Sequence, residues 1–314
     1  MKTIPIQNFI PREPDQMIQK LLTQYSEFLE EIVNFGSHIM TWKPNDYDKG
    51  EQGLPITLFL RNYLSYIDAC SILIKFSSIE PCNSLLRTSF ENLLYIFYLI
   101  DDSSGKKGLG YLIWNAFEKS KLLTRHDGKS KQYLNLVESY NKSELLKSVQ
   151  PPILKNIDKR KETNKKLINS NQFSEIVKEY HRTSGKFKSR PFTWYSLFDG
   201  PSTVRELSVR LHLESFYETL YKSWSSSTHG TSVIDGVVTG DENGIAQINQ
   251  IRLPFDAESV TGTGIYLSAF LFSKYIKAKM PERESEFKQW YKQFSQDTKI
   301  VLERTIFLSN LINS

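Results

Sequence analysis

The sequence predicts an all-α fold: a multi-helix bundle with a charged central excursion and a short loop or β-hairpin after a His-Gly motif. Apolar residues recur at helical spacing over most of the 314 residues. Proline, glycine and asparagine cluster between those segments, where they mark turns. Aromatic residues make up 13% of the chain, so a substantial hydrophobic core is expected.

Three long helices are predicted in the N-terminal third. Apolar spacing places the first over residues 15–41 and the second from Pro55 to Phe76, because proline is favoured in the first turn of a helix. The third runs over residues 84–100, after a turn at 77–81. Two helices joined by so short a turn form an antiparallel hairpin.

The middle of the chain is more polar. A fourth helix is predicted over residues 110–125, and residues 126–186 are then rich in Lys, Asn, Ser, Asp and Glu. Residues 153–168 are charged and weakly amphipathic, so we interpret them as a solvated helical excursion rather than a specific binding arm. We expect one helical domain over residues 1–314, with residues 126–186 as a partly exposed insertion.

The C-terminal part is again helical. A helix over residues 213–227 leads to His229 and Gly230, and glycine is a common helix stop. Residues 233–254 are predicted to form a loop, because they are rich in Gly and Asn, and a short hairpin around residues 241–244 is the alternative. Two further helices are predicted over residues 257–278 and 282–311.

Composition narrows the class of protein. The net charge is +5 and the pI about 8.9, which permits a nucleic-acid partner without requiring one. Two cysteines make no disulfide framework, and Cys70, in an apolar helix, is expected to be a core residue. No signal peptide is evident, and charged residues interrupt the longest apolar runs, so we expect a cytoplasmic protein with no membrane span.

The third helix carries the most unusual polar pair. Arg87 and Glu91 are spaced i, i+4 on an otherwise apolar helix, so they share one face. One interpretation is an ion pair that fixes helix packing. The other is a polar pocket in which Arg87 binds a phosphate or carboxylate through its planar fork. The sequence leaves both interpretations open.

His229 is the second candidate. At a helix end it can meet the negative end of the helix dipole, or it can act as a general acid or base, because its ordinary pKa lies near neutrality. Ser225 and Ser226 precede it by four and three residues and share its helix face. Trp224 is one of several aromatic residues that could stack on a base, although core packing is their commoner use.

Several classes of protein lack their motifs here. The five histidines are scattered, with no paired-cysteine or His-Glu-x-x-His motif, so no metal site is expected. There is no phosphate-binding Gly-x-x-x-x-Gly-Lys loop, no dinucleotide fingerprint and no Gly-x-Ser-x-Gly elbow. The sequence therefore indicates no cofactor.

A family resemblance rests on two parts of the chain. The first is Arg61–Lys75 followed by Ile79–Pro81 and Leu86–Glu91, and the second is Trp194–Leu197, Val204–Leu207 and Phe216–Thr231. Together they resemble a family of uncharacterised bacterial proteins, a domain of unknown function with an Arg-x-x-x-Glu helix and a Ser-x-x-x-His-Gly helix end. The likeness covers roughly residues 55–235 and implies an all-α fold with a recurrent polar trio, but no established activity.

A more distant resemblance is to the HEPN superfamily of helical bundles, several of which are RNA-cutting toxins. Those proteins carry an Arg followed by four to six residues and a His. Here Lys222, Ser223 and Trp224 stand where that Arg falls before His229, so the motif is absent as written. Lys222 could substitute for the arginine, or Arg87 could approach from another helix.

These observations lead to two hypotheses. The first is a bacterial stress or phage-defence effector that acts on or binds RNA or a nucleotide, with His229, Arg87 and Glu91 as catalytic residues and Lys222, Ser226 and Trp224 contacting the substrate. In its enzymatic form it is a metal-independent ribonuclease. The second is a non-catalytic helical sensor or scaffold in a multi-protein complex. Either could self-associate, through the aromatic helix near Trp114 or the C-terminal helix.

Overall fold

Helices form nearly all the regular structure of the described residues, as predicted. The structure is a computed structural model, and it describes residues 9–11, 15–42, 52–188, 190–228, 238–240 and 246–299. The helices are α1 (Gln16–Thr41), α2 (Leu54–Lys75), α3 (Glu80–Ile100), α4 (Lys106–Arg125), α5 (Lys131–Lys142), α6 (Ile157–Ile168), α7 (Ser174–Lys186), α8 (Val204–Arg210), α9 (Glu214–Phe216), α10 (Lys222–Thr228), α11 (Ala257–Lys279) and α12 (Glu284–Asp297). Short 3-10 segments lie at Asn171–Phe173, Trp194–Asp199 and Pro281–Arg283, and a π-helical stretch, Tyr217–Tyr221, joins α9 to α10.

Backbone contacts divide the chain into two compact units. The first unit comprises residues 1–101 and 204–314, and the second comprises residues 102–203. The charged segment 126–186 therefore lies within a larger unit that also includes α4 and the Trp194–Asp199 segment. That the whole chain folds as one domain stays a prediction.

The α2–α3 hairpin is central to the first unit, and α1 and α11 pack against it. The two helices are joined by a short turn at 76–79, in which Ser77 has a left-handed φ of 61°. Pro81 lies in the first turn of α3, where a missing N–H costs no hydrogen bond, so the helix begins at Glu80 rather than at Ser84. Tyr63 is buried in this core, and its hydroxyl is 2.8 Å from that of Ser268 on α11.

A close approach of three helices depends on Gly36. A Cβ atom at this position would lie 2.4 Å from Leu64 Cδ2 on α2 and 3.0 Å from Phe272 Cζ on α11. Since both neighbours are themselves buried, neither has open space to move into. The absence of a side chain at Gly36 therefore sets the spacing of α1 from α2 and α11.

The helix α12 packs along α1 through aromatic rings. Trp290 stacks on Phe35 at 3.9 Å between centroids, and its indole N–H donates to Glu31 Oε1 at 2.7 Å. Phe294 contacts Phe28 edge-on at 6.4 Å. The predicted closing helix is thus present from Glu284, and its part beyond residue 299 lies outside the described residues.

The second unit has a hydrophobic core of its own. Its buried members come from α4, α7 and the segments around them: Ile113, Phe173, Ile176, Tyr180, Phe192 and Leu197. Glu179 on α7 stabilises the left-handed backbone at Phe198, because its carboxylate accepts the Phe198 N–H at 2.6 Å and is also bonded to Arg182 and Thr183. Burial by itself raises the pKa of Glu179, but the hydrogen bonds from Arg182, Phe198 and Thr183 outweigh it and lower the pKa.

Of the loop and the hairpin predicted as alternatives after the His-Gly motif, the hairpin is present. β1 (Val238–Gly240) pairs antiparallel with β2 (Ala246–Ile248), with Val238 opposite Ile248. The intervening turn residues lie outside the described part of the chain. Among the described residues, no helix has the length and apolar character that a membrane span requires.

Two glycine substitutions test this packing. We expect Gly36→Ala to destabilise the protein by about 1–3 kcal/mol, because the new methyl group overlaps buried side chains. Gly185→Ala in α7 is the matched control: a methyl group added there would lie more than 4 Å from every heavy atom outside its own helix, and alanine favours a helix over glycine by up to about 1 kcal/mol. Urea unfolding followed by circular dichroism measures both, and an equal effect of the two substitutions would contradict the close approach at Gly36.

Candidate functional site

The polar face of α3 consists of Arg87, Glu91 and Tyr95, one helical turn apart. The neighbouring residues Leu86, Phe90 and Leu94 are buried, as the apolar sequence of the helix predicts. Arg87 Nε lies 3.6 Å from Glu91 Oε1, and the two side chains are 19% and 23% exposed. The pair is therefore half-buried and still reaches the surface.

A tyrosine from the π-helical stretch completes the cluster. The hydroxyl of Tyr221 accepts a hydrogen bond from Arg87 Nη2 at 2.9 Å and donates one to Glu91 Oε1 at 2.7 Å. The Arg87 guanidinium carbon also lies 4.9 Å from the centroid of the Tyr221 ring, within range of a cation–π interaction. Tyr95 donates a longer bond, 3.4 Å, to the other oxygen of Glu91. We call these four residues the Arg87 cluster.

The local backbone explains how Tyr221 reaches α3. The Lys222 N–H bonds to the Tyr217 carbonyl, five residues back, so the helix has a π-turn at this point. Such turns are rare and occur frequently at functional sites. Aromatic contacts support the position of the Tyr221 ring, which stacks on Tyr217 at 4.9 Å and lies 6.1 Å from Phe90.

The surroundings keep the Tyr221 hydroxyl protonated. Burial raises its pKa above the ordinary value, and so do the hydrogen bond to Glu91 and the charge of Glu91, while Arg87 offsets only part of the rise. Tyr221 thus acts as a neutral donor near pH 7 and is not suited to be a base. The cluster offers a planar cation, a carboxylate acceptor and a neutral hydroxyl, a set that can bind an oxyanion and orient a neighbouring polar group.

The other predicted site residues have different surroundings. Lys222 is 58% exposed and forms an ion pair with Glu218, which also accepts a bond from Arg205 at 3.1 Å. Trp224 is buried, with 7% of its surface exposed, so little of its ring is accessible to a base. The structure therefore brings Arg87 and Glu91 together, whereas the Lys222 ammonium is directed to Glu218 instead.

His229 lies outside the described residues, and so does the side chain of Ser226. The meeting of Arg87, Glu91 and His229 stays a prediction. Tyr221 lies eight residues before His229 along the chain. Tyr221 contacts both Arg87 and Glu91. The segment that continues along the sequence toward His229 therefore starts at this cluster.

Sequence reasoning missed the role of Tyr221, which it grouped with the aromatic residues that pack in a core or stack on bases. The available signal was a tyrosine on the helix that precedes the His-Gly motif, because a buried tyrosine hydroxyl needs a hydrogen-bond partner. A π-turn has no comparable signature in the residue types, so the direction in which Tyr221 points was not predictable.

Metal ligands and reactive thiols do not add to this site. Within the described ranges no three or more His, Cys, Asp or Glu side chains converge in a way that could hold a metal ion. Cys70 and Cys82 are both buried between α2 and α3, which confirms Cys70 as a core residue. Hydrogen bonding with the Cys82 thiol and burial raise the pKa of Cys70, so its thiol is unreactive.

Removing the Tyr221 hydroxyl tests the cluster. We expect Tyr221→Phe to lower the free energy of unfolding by about 1–2 kcal/mol near pH 7, because both charged partners lose a hydrogen bond. The raised pKa means that the folded state holds this proton more tightly than the unfolded state, so the stabilisation is complete below about pH 10 and is lost as the pH rises further. The difference from wild type should therefore shrink above pH 10.

The matched control is Tyr217→Phe, in the same π-helical stretch. We expect it to change the free energy of unfolding by less than about 0.5 kcal/mol, because the Tyr217 ring stacks on Tyr221 whether or not it carries a hydroxyl. Urea titrations from about pH 7 to about pH 11 compare the three proteins. A loss in Tyr217→Phe as large as that in Tyr221→Phe would argue against the Arg87–Tyr221–Glu91 bridge.

Comparison with known proteins agrees with the resemblance seen in the sequence. A model of a family of unknown function, DUF5677, matches residues 54–245, which begin at α2 and extend to the turn of the β-hairpin. No curated protein and no solved structure matches the chain. The match covers more than half of the sequence and includes α3, the π-helical stretch and α10. The chain therefore belongs to the DUF5677 family of unknown function.

Proposed function

We propose that the protein is a bacterial stress or phage-defence effector of the cytoplasm that binds RNA or a nucleotide at the Arg87 cluster. The observation that carries this proposal is the bridge from Arg87 through the Tyr221 hydroxyl to Glu91, half-buried but open to the surface. A guanidinium held in this way is oriented before a ligand arrives. Less conformational entropy is then lost when a phosphate binds.

The enzymatic form of this proposal is a metal-independent ribonuclease. His229 takes the proton of a ribose 2′-hydroxyl, and the 2′-oxygen attacks the adjacent phosphorus while Arg87 stabilises the charge that develops on the phosphate. The bond from phosphorus to the 5′-oxygen of the next nucleotide breaks, which leaves a 2′,3′-cyclic phosphate, and the proton held by His229 passes to the departing 5′-oxygen. Glu91 positions Arg87, and Tyr221, which stays protonated, transmits no proton to the substrate. The distant resemblance to helical RNA-cutting toxins supports this form, although the arginine of their motif is replaced here by Lys222, Ser223 or Trp224.

Expression in bacterial cells tests the ribonuclease. We expect wild type to slow growth and degrade RNA, and His229→Ala to do neither, because the general base is lost. Arg87→Lys is the second variant: it keeps the charge but not the planar fork, so it should fold and lose most of the activity. Growth curves and the integrity of total RNA are the measurements, with protein levels compared between strains. Equal growth and intact RNA for wild type and His229→Ala would exclude the nuclease.

The second candidate is a non-catalytic sensor or scaffold in which the Arg87 cluster only holds α3 against the π-helical stretch. The half-burial of both charges favours this interpretation, since such pairs fix the packing of helices. It predicts that Arg87→Ala lowers stability by about 2 kcal/mol, because Glu91 loses its charged partner. A melting temperature that is unchanged while RNA or nucleotide binding is lost would favour a binding site instead.

A further inference from the structure

Charge is divided unevenly between the two units. Residues 102–203 contain 20 lysines and arginines and 10 aspartates and glutamates, a formal net charge of +10. The rest of the chain carries the remaining 20 basic and 25 acidic residues, a net charge of −5. The modest net charge of +5 for the whole chain conceals this separation, which is of the kind seen in proteins that bind nucleic acid.

Part of this charge lies on α6 and two residues before its first residue, at Lys155. Lys155, Lys159, Arg160 and Lys165 are exposed, and in the part of the chain that the structure describes none of them is in an ion pair. The two acidic residues of α6 are already paired with other cations. Asp158 lies 3.9 Å from Lys129, and Glu162 lies 2.9 Å from Lys166. We call Lys155, Lys159, Arg160 and Lys165 the α6 basic surface.

Tertiary contacts hold this surface in place. Asn164, one turn after Arg160 on α6, is buried and donates to the Ala116 carbonyl and the Ser120 hydroxyl of α4, each at 2.5 Å. Lys161 pairs with Asp127 just after the end of α4. The helix is therefore fixed to the core of the second unit rather than a free charged excursion, and its cations have set positions.

We propose that the α6 basic surface binds the phosphate backbone of a nucleic acid. Lysine and arginine at set positions along a helix neutralise successive phosphates and release the counterions condensed on them. Every aromatic side chain of the second unit is buried or half-buried, so stacking on unpaired bases is a minor contribution. The surface therefore fits the regular backbone of a duplex better than a single strand.

A membrane is the less suitable partner for this helix. A helix that lies in a membrane interface inserts an apolar face into the lipid. The apolar residues of α6, Ile157, Leu167 and Ile168, are half-buried, and its exposed residues are all polar. The exposed aliphatic side chains of the unit lie outside α6: Leu122 on α4, Leu134 on α5, and Leu145, Leu146, Val149 and Ile153 in the segment between α5 and α6.

The proposal shares a nucleic-acid partner with the proposed function but rests on other residues. Its test is the binding of the full-length protein to a labelled RNA duplex over a series of salt concentrations. In the variant Lys155→Gln/Lys159→Gln/Arg160→Gln/Lys165→Gln we expect affinity to fall about ten-fold or more at about 0.1 M salt. The slope of log K against log salt should also decrease in magnitude by up to about 4, since each of the lost phosphate contacts lowers it by about 1.

The matched control removes the same charge from the first unit. Lys20, Lys277, Lys288 and Lys292 are exposed there, and their joint replacement by Gln leaves the whole chain with the same net charge as the α6 variant. We expect the control to bind the duplex within about two-fold of wild type. An equal loss in both variants, or wild-type binding by the α6 variant, would overturn the proposal.

Two further experiments distinguish the α6 proposal from the Arg87 proposal and from binding to a membrane. The effect of the α6 substitutions on duplex binding is measured in both the wild-type and the Arg87→Lys backgrounds. We expect the same fold loss in both, because the α6 basic surface and the Arg87 cluster share no residue, so a failure of either proposal leaves the test of the other unchanged. Vesicles rich in phosphatidylserine replace the duplex in the second experiment. Vesicle binding that is lost in the α6 variant, with no binding of wild type to the duplex, would identify a membrane surface and contradict the nucleic-acid proposal.

Discussion

One buried hydroxyl group joins the two parts of the candidate site. Tyr221 accepts a hydrogen bond from Arg87 and donates one to Glu91, so its single O–H group satisfies a cation and an anion on α3 together. Charges on an apolar helix are costly to bury unless each has a partner. The two charges on α3 are thus stabilised by Tyr221, which lies 130 positions after Glu91 in the sequence.

The π-helical stretch that carries Tyr221 depends in turn on its contacts with α3. The π-helical stretch has an irregular hydrogen-bond pattern that the contacts with α3 help to hold. Whatever the cluster binds, a ligand that draws Arg87 or Glu91 away from Tyr221 alters the support of this stretch. Under the proposed function, binding at α3 would therefore be coupled to the conformation of α10 through the Tyr221 side chain.

Periodicity was enough to predict the helices, because each long helix buries an apolar face that follows helical spacing. The burial of Cys70 was predictable from the same apolar helix, whereas the turn residues after the His-Gly motif left a loop and a hairpin as alternatives. The start of α3 was misplaced, since Pro81 was interpreted as part of the turn although it fits the first turn of the helix equally well. Arg87 and Glu91 were found because two charges in an apolar helix stand out, whereas Tyr221 is one of 16 tyrosines and is marked only by its place on the helix before the His-Gly motif. The charge of the second unit was visible in composition, but that α6 is fixed by Asn164 required tertiary structure.

The π-turn changes how the end of this helix must be described. Each residue of an α-helix is rotated by about 100° from the one before it, so one additional residue in a turn rotates all that follow by that angle. The angle between a residue before the π-turn and one after it therefore differs by about that amount from the angle in a continuous α-helix. Trp224 is nevertheless buried and Lys222 exposed, so α10 turns Trp224 to the interior, as the π-helical stretch does with the Tyr221 ring, and leaves Lys222 to the solvent.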